Sequence, residues 1–221
     1  MGARRFFVLV GAGLLLFPLL GASCATEQVP SGSGMPVLQF DGDSITVIAT
    51  SDLNAHYGAN YDVGIAAITG WDTYLDGPTK NDIVGQVAEA PRIEVINLGT
   101  NDMARIGVGL PSLNEPPQSL ADVEANLAGD VAAFPASTCV IVTTINSHDE
   151  NPTWDSTGSV VTFDNWIRAT FPHVADWDAA YKDSYFNGLG QPHPNEAGLQ
   201  ALIATYDHAI ATCPTAGGGT S

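Results

Sequence analysis

The stretch "VLQFDGDSIT", residues 37–46, decides the fold. Val37–Phe40 is a short apolar run with β character. Asp41-Gly42-Asp43-Ser44 then interrupts it, and Ile45, Ile48, Ala49 and Leu53 recur near one face of a helix. A strand that passes through a polar turn straight into a helix is the start of an α/β unit. Four more apolar runs repeat the pattern: Tyr61–Ile68, Ile93–Leu98, Cys139–Ile145 and Val174–Trp177. Helical spacing recurs at Leu120, Val123, Leu127 and Val131, where Ser119 and Asp122 form a capping box. Val160–Phe171 and Glu196–Ala211 complete the set. Strands alternating with helices predict a three-layer α/β/α sandwich around a five-stranded parallel sheet.

That architecture has a consequence for chemistry. Loops leaving the C-terminal ends of parallel strands gather on one edge, where ligands bind. The polar clusters of this chain follow its strands: Gly42-Asp43-Ser44, Thr69-Gly70, Gly99-Thr100-Asn101-Asp102 and Asn146-Ser147-His148-Asp149-Glu150. His193 precedes the last helix. One rim therefore collects a serine, two glycines, an asparagine and two histidines. Cys139 opens a strand and so lies at the opposite edge. Cys213 ends a helix that runs down from the rim, which brings it to that same edge.

The 221 residues fit one domain with a sizeable core. Residues 1–24 read as an export signal: Arg4 and Arg5 precede the apolar run Phe6–Leu20, and small residues follow. Two processing routes are open. Leu20-Gly21-Ala22-Ser23-Cys24 resembles a bacterial lipobox with Cys24 as the lipidated residue, and cleavage after Ala25 would release a secreted chain instead. The expected outcome is an exported protein, anchored through Cys24 at the cell surface or free. Residues 25–36 read as a flexible linker, 37–213 as the folded domain and 214–221 as a flexible tail.

Seven Lys+Arg face 24 Asp+Glu, a net charge of −17. Such a surface repels phosphate backbones and excludes nucleic-acid binding as a function class. Without Cys24, two cysteines remain. A pair in an oxidising compartment, at one edge of the sheet, predicts a Cys139–Cys213 disulfide, with two buried free thiols as the alternative.

Ser44 is the candidate nucleophile. A serine hydroxyl needs a base within hydrogen-bond reach and donors aimed at the oxygen that becomes negative in acyl transfer. A position at the start of a helix supplies free N–H groups. It also suits an ordinary N-cap, a frequent role for serine.

Four blocks together carry a resemblance. Gly42-Asp43-Ser44, Ile68-Thr69-Gly70, Gly99-Thr100-Asn101-Asp102 and His193-Pro194 resemble, in order and at the matching strand ends, the blocks of the SGNH or GDSL hydrolases. The resemblance spans residues 37 to about 211. It implies the flavodoxin-like fold of that family and an ester-hydrolysing enzyme. It makes Ser44 the nucleophile and His193 the base, with the Ser44 and Gly70 N–H groups and the Asn101 carboxamide as the oxyanion hole. It implies no cofactor and no metal. The family pattern puts an aspartate three residues before the histidine, and here that residue is Gly190. A backbone carbonyl, Asp183 or Asp178 would then orient the imidazole.

His148-Asp149-Glu150 lacks the second ligand pair that a metal site needs, and reads as the edge of a cleft. Trp71 and Trp154 are candidates for substrate contact. His56, His173 and His208 carry no functional assignment. The expected function is an exported, monomeric serine esterase or lipase acting on small-molecule or polysaccharide esters. One alternative is a carbohydrate O-acetyl esterase or acyltransferase on a cell-wall or plant polysaccharide. The other is a non-catalytic lipoprotein that binds a ligand on the same fold.

Overall fold

The computed structural model describes residues 25–76, 81–108, 118–147, 158–187 and 192–214. The strands are β1 (Ala25–Gln28), β2 (Val37–Gly42), β3 (Asp62–Ile68), β4 (Ile93–Asn97), β5 (Cys139–Thr143) and β6 (Val174–Ala175). The helices are α1 (Ser44–Tyr57), α2 (Thr73–Asp76), α3 (Asn81–Ala88), α4 (Thr100–Val108), α5 (Leu120–Ala133), α6 (Ser159–Thr170) and α7 (Glu196–Ile210).

The strands form one sheet in the order β1-β3-β2-β4-β5-β6. From β3 to β6 all pairings are parallel. Those five strands have the flavodoxin-like order, which reverses direction between β2 and β4. The expectation of five strands needs correcting, because the sheet has six. The sixth is β1, which pairs antiparallel with β3, Ala25 opposite Ile68 and Gln28 opposite Ile65. It lies within the segment read from sequence as a flexible linker.

The reason is local. Ala25-Thr26-Glu27-Gln28 is a polar edge strand, half exposed along its length, and its pairing is backbone to backbone. Side chains then fasten it and the segment that follows. Gln28 and Asn54 exchange hydrogen bonds at 2.8 and 2.9 Å. The Asp62 carboxylate accepts from the N–H and hydroxyl of both Ser31 and Ser33. Those bonds, led by the Ser31 N–H, hold the Asp62 carboxyl down at about 2.

Two cores sandwich the sheet. Leu38, Phe40, Ile65 and Val95 pack against Leu53 of α1 and Leu202 and Tyr206 of α7. Ile96, Leu98 and Val142 pack on the other side against Ile83 of α3, Met103 of α4, Leu127 of α5 and Phe163 of α6. Alternate residues of each strand thus serve opposite faces. The buried stripe of α1 is Ile45, Thr46, Ala49, Leu53 and Tyr57. Ile48, expected on that face, is exposed at 42%. The Ser119–Asp122 capping box forms as read.

At the lower edge, Cys139 and Cys213 are joined in a disulfide with Cα atoms 5.8 Å apart. No helix among the described residues is long and apolar enough to cross a membrane. Cys24 and the rest of residues 1–24, with 215–221 of the tail, lie outside the described residues.

Candidate active site

The site stands where the strand order reverses. Between the C-terminal ends of β2 and β4, the neighbouring loops part to opposite sides and leave a crevice. Ser44 follows β2 and is the first residue of α1. It is not the helix cap. Asp43 takes that role: its backbone is extended and its Oδ1 accepts from the Ile45 N–H at 2.8 Å. Ser44 is thereby free of capping duty, and its hydroxyl faces another element altogether. Its Oγ lies 2.8 Å from Nε2 of His193.

His193 sits just before α7, capped by Asn195, whose side chain accepts from the Gly198 N–H at 3.1 Å. The histidine is exposed at the rim. Partial burial of its ring holds the imidazole below its ordinary pKa of 6.5. At neutral pH it is therefore mainly the neutral base that a serine nucleophile needs.

Among the described residues no carboxylate bonds the imidazole. Asp183 accepts from the Tyr181 hydroxyl at 2.8 Å. Asp178 accepts from the N–H and hydroxyl of Ser147 and from Arg168. Both acids thus have structural duties. Gly190 lies outside the described residues, as do His148, Asp149, Glu150 and Trp154.

The loop after β3 is held over the site from α4. Gly70 has φ +82°, a conformation in which glycine carries no steric cost, and the space where a side chain would project is open. Asn101 Nδ2 donates to the Trp71 carbonyl at 2.7 Å and to Asp43 Oδ2 at 3.2 Å. The next residue, Asp102, accepts from the Thr73 hydroxyl and N–H. One turn on, Arg105 forms an ion pair with the fully buried Asp72 and reaches the Gly70 carbonyl. Three side chains of one helix face therefore grip residues 70–73. Gly99 starts this arrangement with φ +116°, where an added Cβ would strike the Phe163 ring.

The sequence reading brought Ser44, Gly70, Asn101 and His193 to this rim, and the structure gathers the elements that bear them. It missed Asp43 as the cap and the clamp of Asp72, Thr73, Asp102 and Arg105. The available signal was Asn101-Asp102 followed by Arg105 at helical spacing, which puts a carboxamide, an acid and a guanidinium near one helix end.

Asp43 is completely buried, and that burial pushes its carboxyl up to about 7, with the charge of Asp102 adding to the effect. The remaining histidines are elsewhere. His56 pairs with Asp207 at 2.9 Å, and His173 bonds Thr212 at 2.8 Å. Among the described residues, the one group of ligand-type side chains close enough for a metal is Cys139, Cys213 and His173, and its two sulfurs are bonded to each other.

No protein-family profile and no curated protein sequence matches the chain. Solved structures do. Axe2, an acetylxylan esterase from Geobacillus stearothermophilus, superposes with a TM-score of 0.57 at 20% identity, over 82% of this chain and 95% of that one. LAE5, an alpha/beta hydrolase from the metagenome of Lake Arreo, Spain, does so with a TM-score of 0.59 at 17% identity, over 81% of this chain and 97% of that one. The chain shares the fold of these hydrolases. This agrees with the SGNH resemblance of its four blocks. Catalytic mutants of Axe2 have been solved at a serine, an aspartate and a histidine, the aspartate three residues before the histidine. Three residues before His193 this chain has Gly190.

Proposed function

We propose that the protein is a serine hydrolase of carboxylic esters, working through an acyl-enzyme on Ser44. The observation that carries this reading is the 2.8 Å contact between Ser44 Oγ and His193 Nε2, within the reach that proton transfer needs. Ser44 Oγ attacks the ester carbonyl carbon and its proton passes to Nε2. The carbonyl oxygen becomes an oxyanion. As the carbon–alkoxy bond breaks, the imidazolium returns the proton to the leaving alcohol. Water then repeats the sequence on the acyl-enzyme and releases the acid.

The oxyanion donors are the N–H of Ser44, the N–H of Gly70 and the Asn101 carboxamide. First-turn N–H groups of a helix have no intrahelical acceptor, which leaves the Ser44 amide available. The Asn101 amide is held by Trp71 and Asp43, and it takes part by sharing a proton now directed at one of them. With Gly190 in place of an acid, His193 works as one half of a Ser–His dyad.

A second reading concerns the alcohol. The likeness to a protein described as an acetylxylan esterase, with an exposed histidine on the leaving-group side, favours a polysaccharide O-acetyl ester over a lipid. The disulfide supports export. Whether Cys24 is lipidated is read from the intact mass of the mature chain.

The test is Ser44→Ala. Hydrolysis of p-nitrophenyl acetate should vanish while the circular dichroism spectrum stays unchanged, and a fluorophosphonate probe should label the parent chain on Ser44 alone. Full turnover in Ser44→Ala would refute the reading. A folded parent chain that neither turns over esters nor takes the probe is instead the non-catalytic ligand-binding protein.

A further inference from the structure

A small cavity lies beside the proposed catalytic centre. Ile45, Thr100 and Pro192 line it, and each is the sequence neighbour of a site residue: Ser44, Asn101 and His193. It sits over the ends of β4 and β5, one strand along from the crevice between β2 and β4. Its volume is about 20 Å³. A cavity needs roughly 10–15 Å³ by this measure to hold one water. The space therefore admits a single water-sized or methyl-sized group.

The walls favour the methyl. Met103, Ile145, Val160 and Trp177 supply apolar surface, and all four are buried. Three of the polar neighbours, Ser147, Thr144 and Asn97, have partners outside the cavity. Ser147 donates to Asp178 through both its N–H and its hydroxyl. The Thr144 hydroxyl donates to Asp176 and accepts from the Asp178 N–H. Asn97 donates to the Thr46 hydroxyl. A guest here meets carbon more readily than free hydrogen-bonding groups.

An ester has two halves, and only one fits. A sugar or a long-chain alcohol far exceeds this volume, and its departure past His193 requires the exposed side of the rim. The enclosed side is left for the acyl group. We infer that this cavity receives the acyl chain and limits it to acetyl, so that the protein is an acetyl-ester hydrolase whose selectivity resides in Met103, Ile145, Val160 and Trp177. The inference rests on the esterase reading above and adds the cavity and the four residues that would select the acyl half.

The experiment is kcat/KM on p-nitrophenyl acetate, butyrate and octanoate with the full chain. A methylene without room in an apolar pocket changes such ratios about 10- to 200-fold. Acetate should therefore exceed butyrate at least about tenfold, and octanoate by more. Val160→Ala and Met103→Ala, each checked for folding by circular dichroism, should narrow the acetate-to-butyrate ratio about tenfold. The chain-length series on the parent protein needs no variant. Equal or better turnover of butyrate or octanoate overturns the inference and leaves the esterase standing. An unchanged ratio in folded, enlarged variants does the same. No turnover of any ester, with no fluorophosphonate adduct on Ser44, overturns both.

Discussion

Ser44 Oγ and His193 Nε2 stand 2.8 Å apart although 149 residues separate them in the chain. Ser44 is fixed by the first turn of α1, and His193 by the Asn195 cap of α7. The two helices pack on the same face of the sheet through one core. The contact is thus a product of helix packing, and it should persist without substrate. His193→Ala should lower kcat/KM for p-nitrophenyl acetate by at least about 10³-fold, since loss of either member of such a pair disables the unit. The melting temperature should move little, because the ring is exposed at the rim. A loss below tenfold would show that Ser44 draws its base from elsewhere.

On the proposed mechanism, the same pair sets the acid limb of activity. Desolvation keeps the His193 imidazole below its ordinary 6.5. The free-enzyme pKa in a kcat/KM profile reports the essential base. Activity should therefore hold at pH 6.5 and fall only at lower pH, as the imidazole takes up a proton and can no longer accept one from Ser44. An acid limb centred at or above 6.5 would contradict the burial that the structure gives this ring.

The clamp from α4 should matter to rate as well as to folding. Arg105→Ala removes the partner of Asp72, a fully buried carboxylate, and the contact to the Gly70 carbonyl. Removing one member of a buried pair is strongly destabilising. Arg105 is partly exposed, so the expected loss is roughly 2–3 kcal/mol. A loop displaced by 1 Å at a catalytic centre costs about 10² in rate. We expect kcat to drop 10- to 100-fold with KM for a small ester little changed, and Arg105→Lys to restore part of it. An equal rise in KM with kcat intact would place Arg105 in substrate binding instead.

Most of this site was legible in the sequence because its chemistry demands particular residue types. Only glycine is at ease at the φ of +82° found for residue 70 and +116° for residue 99, and both follow strands whose apolar runs mark the core. What escaped notice works by pairing, not by type. Asp72 and Arg105 lie 33 positions apart, and no local pattern links them. Strand β1 has no apolar run because an edge strand needs none; its side-chain anchor, Asn54, comes from α1, and Asp62 of β3 holds the segment just after it. Ile48 has the right spacing for the core. The inward place on that turn goes instead to Thr46, whose hydroxyl Asn97 engages.

Stability should fall as pH rises through neutrality. Burial raises the carboxyl of Asp164 to about 8 and that of Asp43 to about 7, against 3.8 for each when free. Between about pH 4 and 8 these two carboxyls therefore bind more protons in the folded chain than in the unfolded one, and at them raising the pH is destabilising. Asp62, held at about 2, finishes titrating below this window and does not mask the effect. Asp164 is the cleaner probe, because Asp43 also bonds Asn101. Asp164 Oδ1 accepts from the Ile145 N–H at 2.9 Å, and Asn preserves that acceptor without the charge. Asp164→Asn should match the parent near pH 4–5 and exceed its melting temperature at pH 9. About 1 kcal/mol corresponds to roughly 2–4 °C in a chain of this size. A uniform loss at every pH would mean that the second oxygen has a partner the carboxamide cannot satisfy.

The disulfide should contribute to stability without touching the chemistry. It joins Cys139, at the start of β5, to Cys213, just beyond α7, across 74 positions of sequence. It therefore ties the last helix, whose first turn follows His193, to the lower edge of the sheet. Closing a loop of that length stabilises by roughly 4 kcal/mol in the chain-entropy account. Replacing both cysteines by alanine, or reducing the bond, should lower the melting temperature by about 8–16 °C on the scale for such chains. Below the new transition, kcat/KM for acetate should stay within about twofold, because the bond lies at the edge of the sheet away from the rim. A large loss of activity at temperatures where the double variant is still folded would show that α7 needs this tether to present His193 to Ser44, and that the 2.8 Å contact depends on the bond as well as on packing.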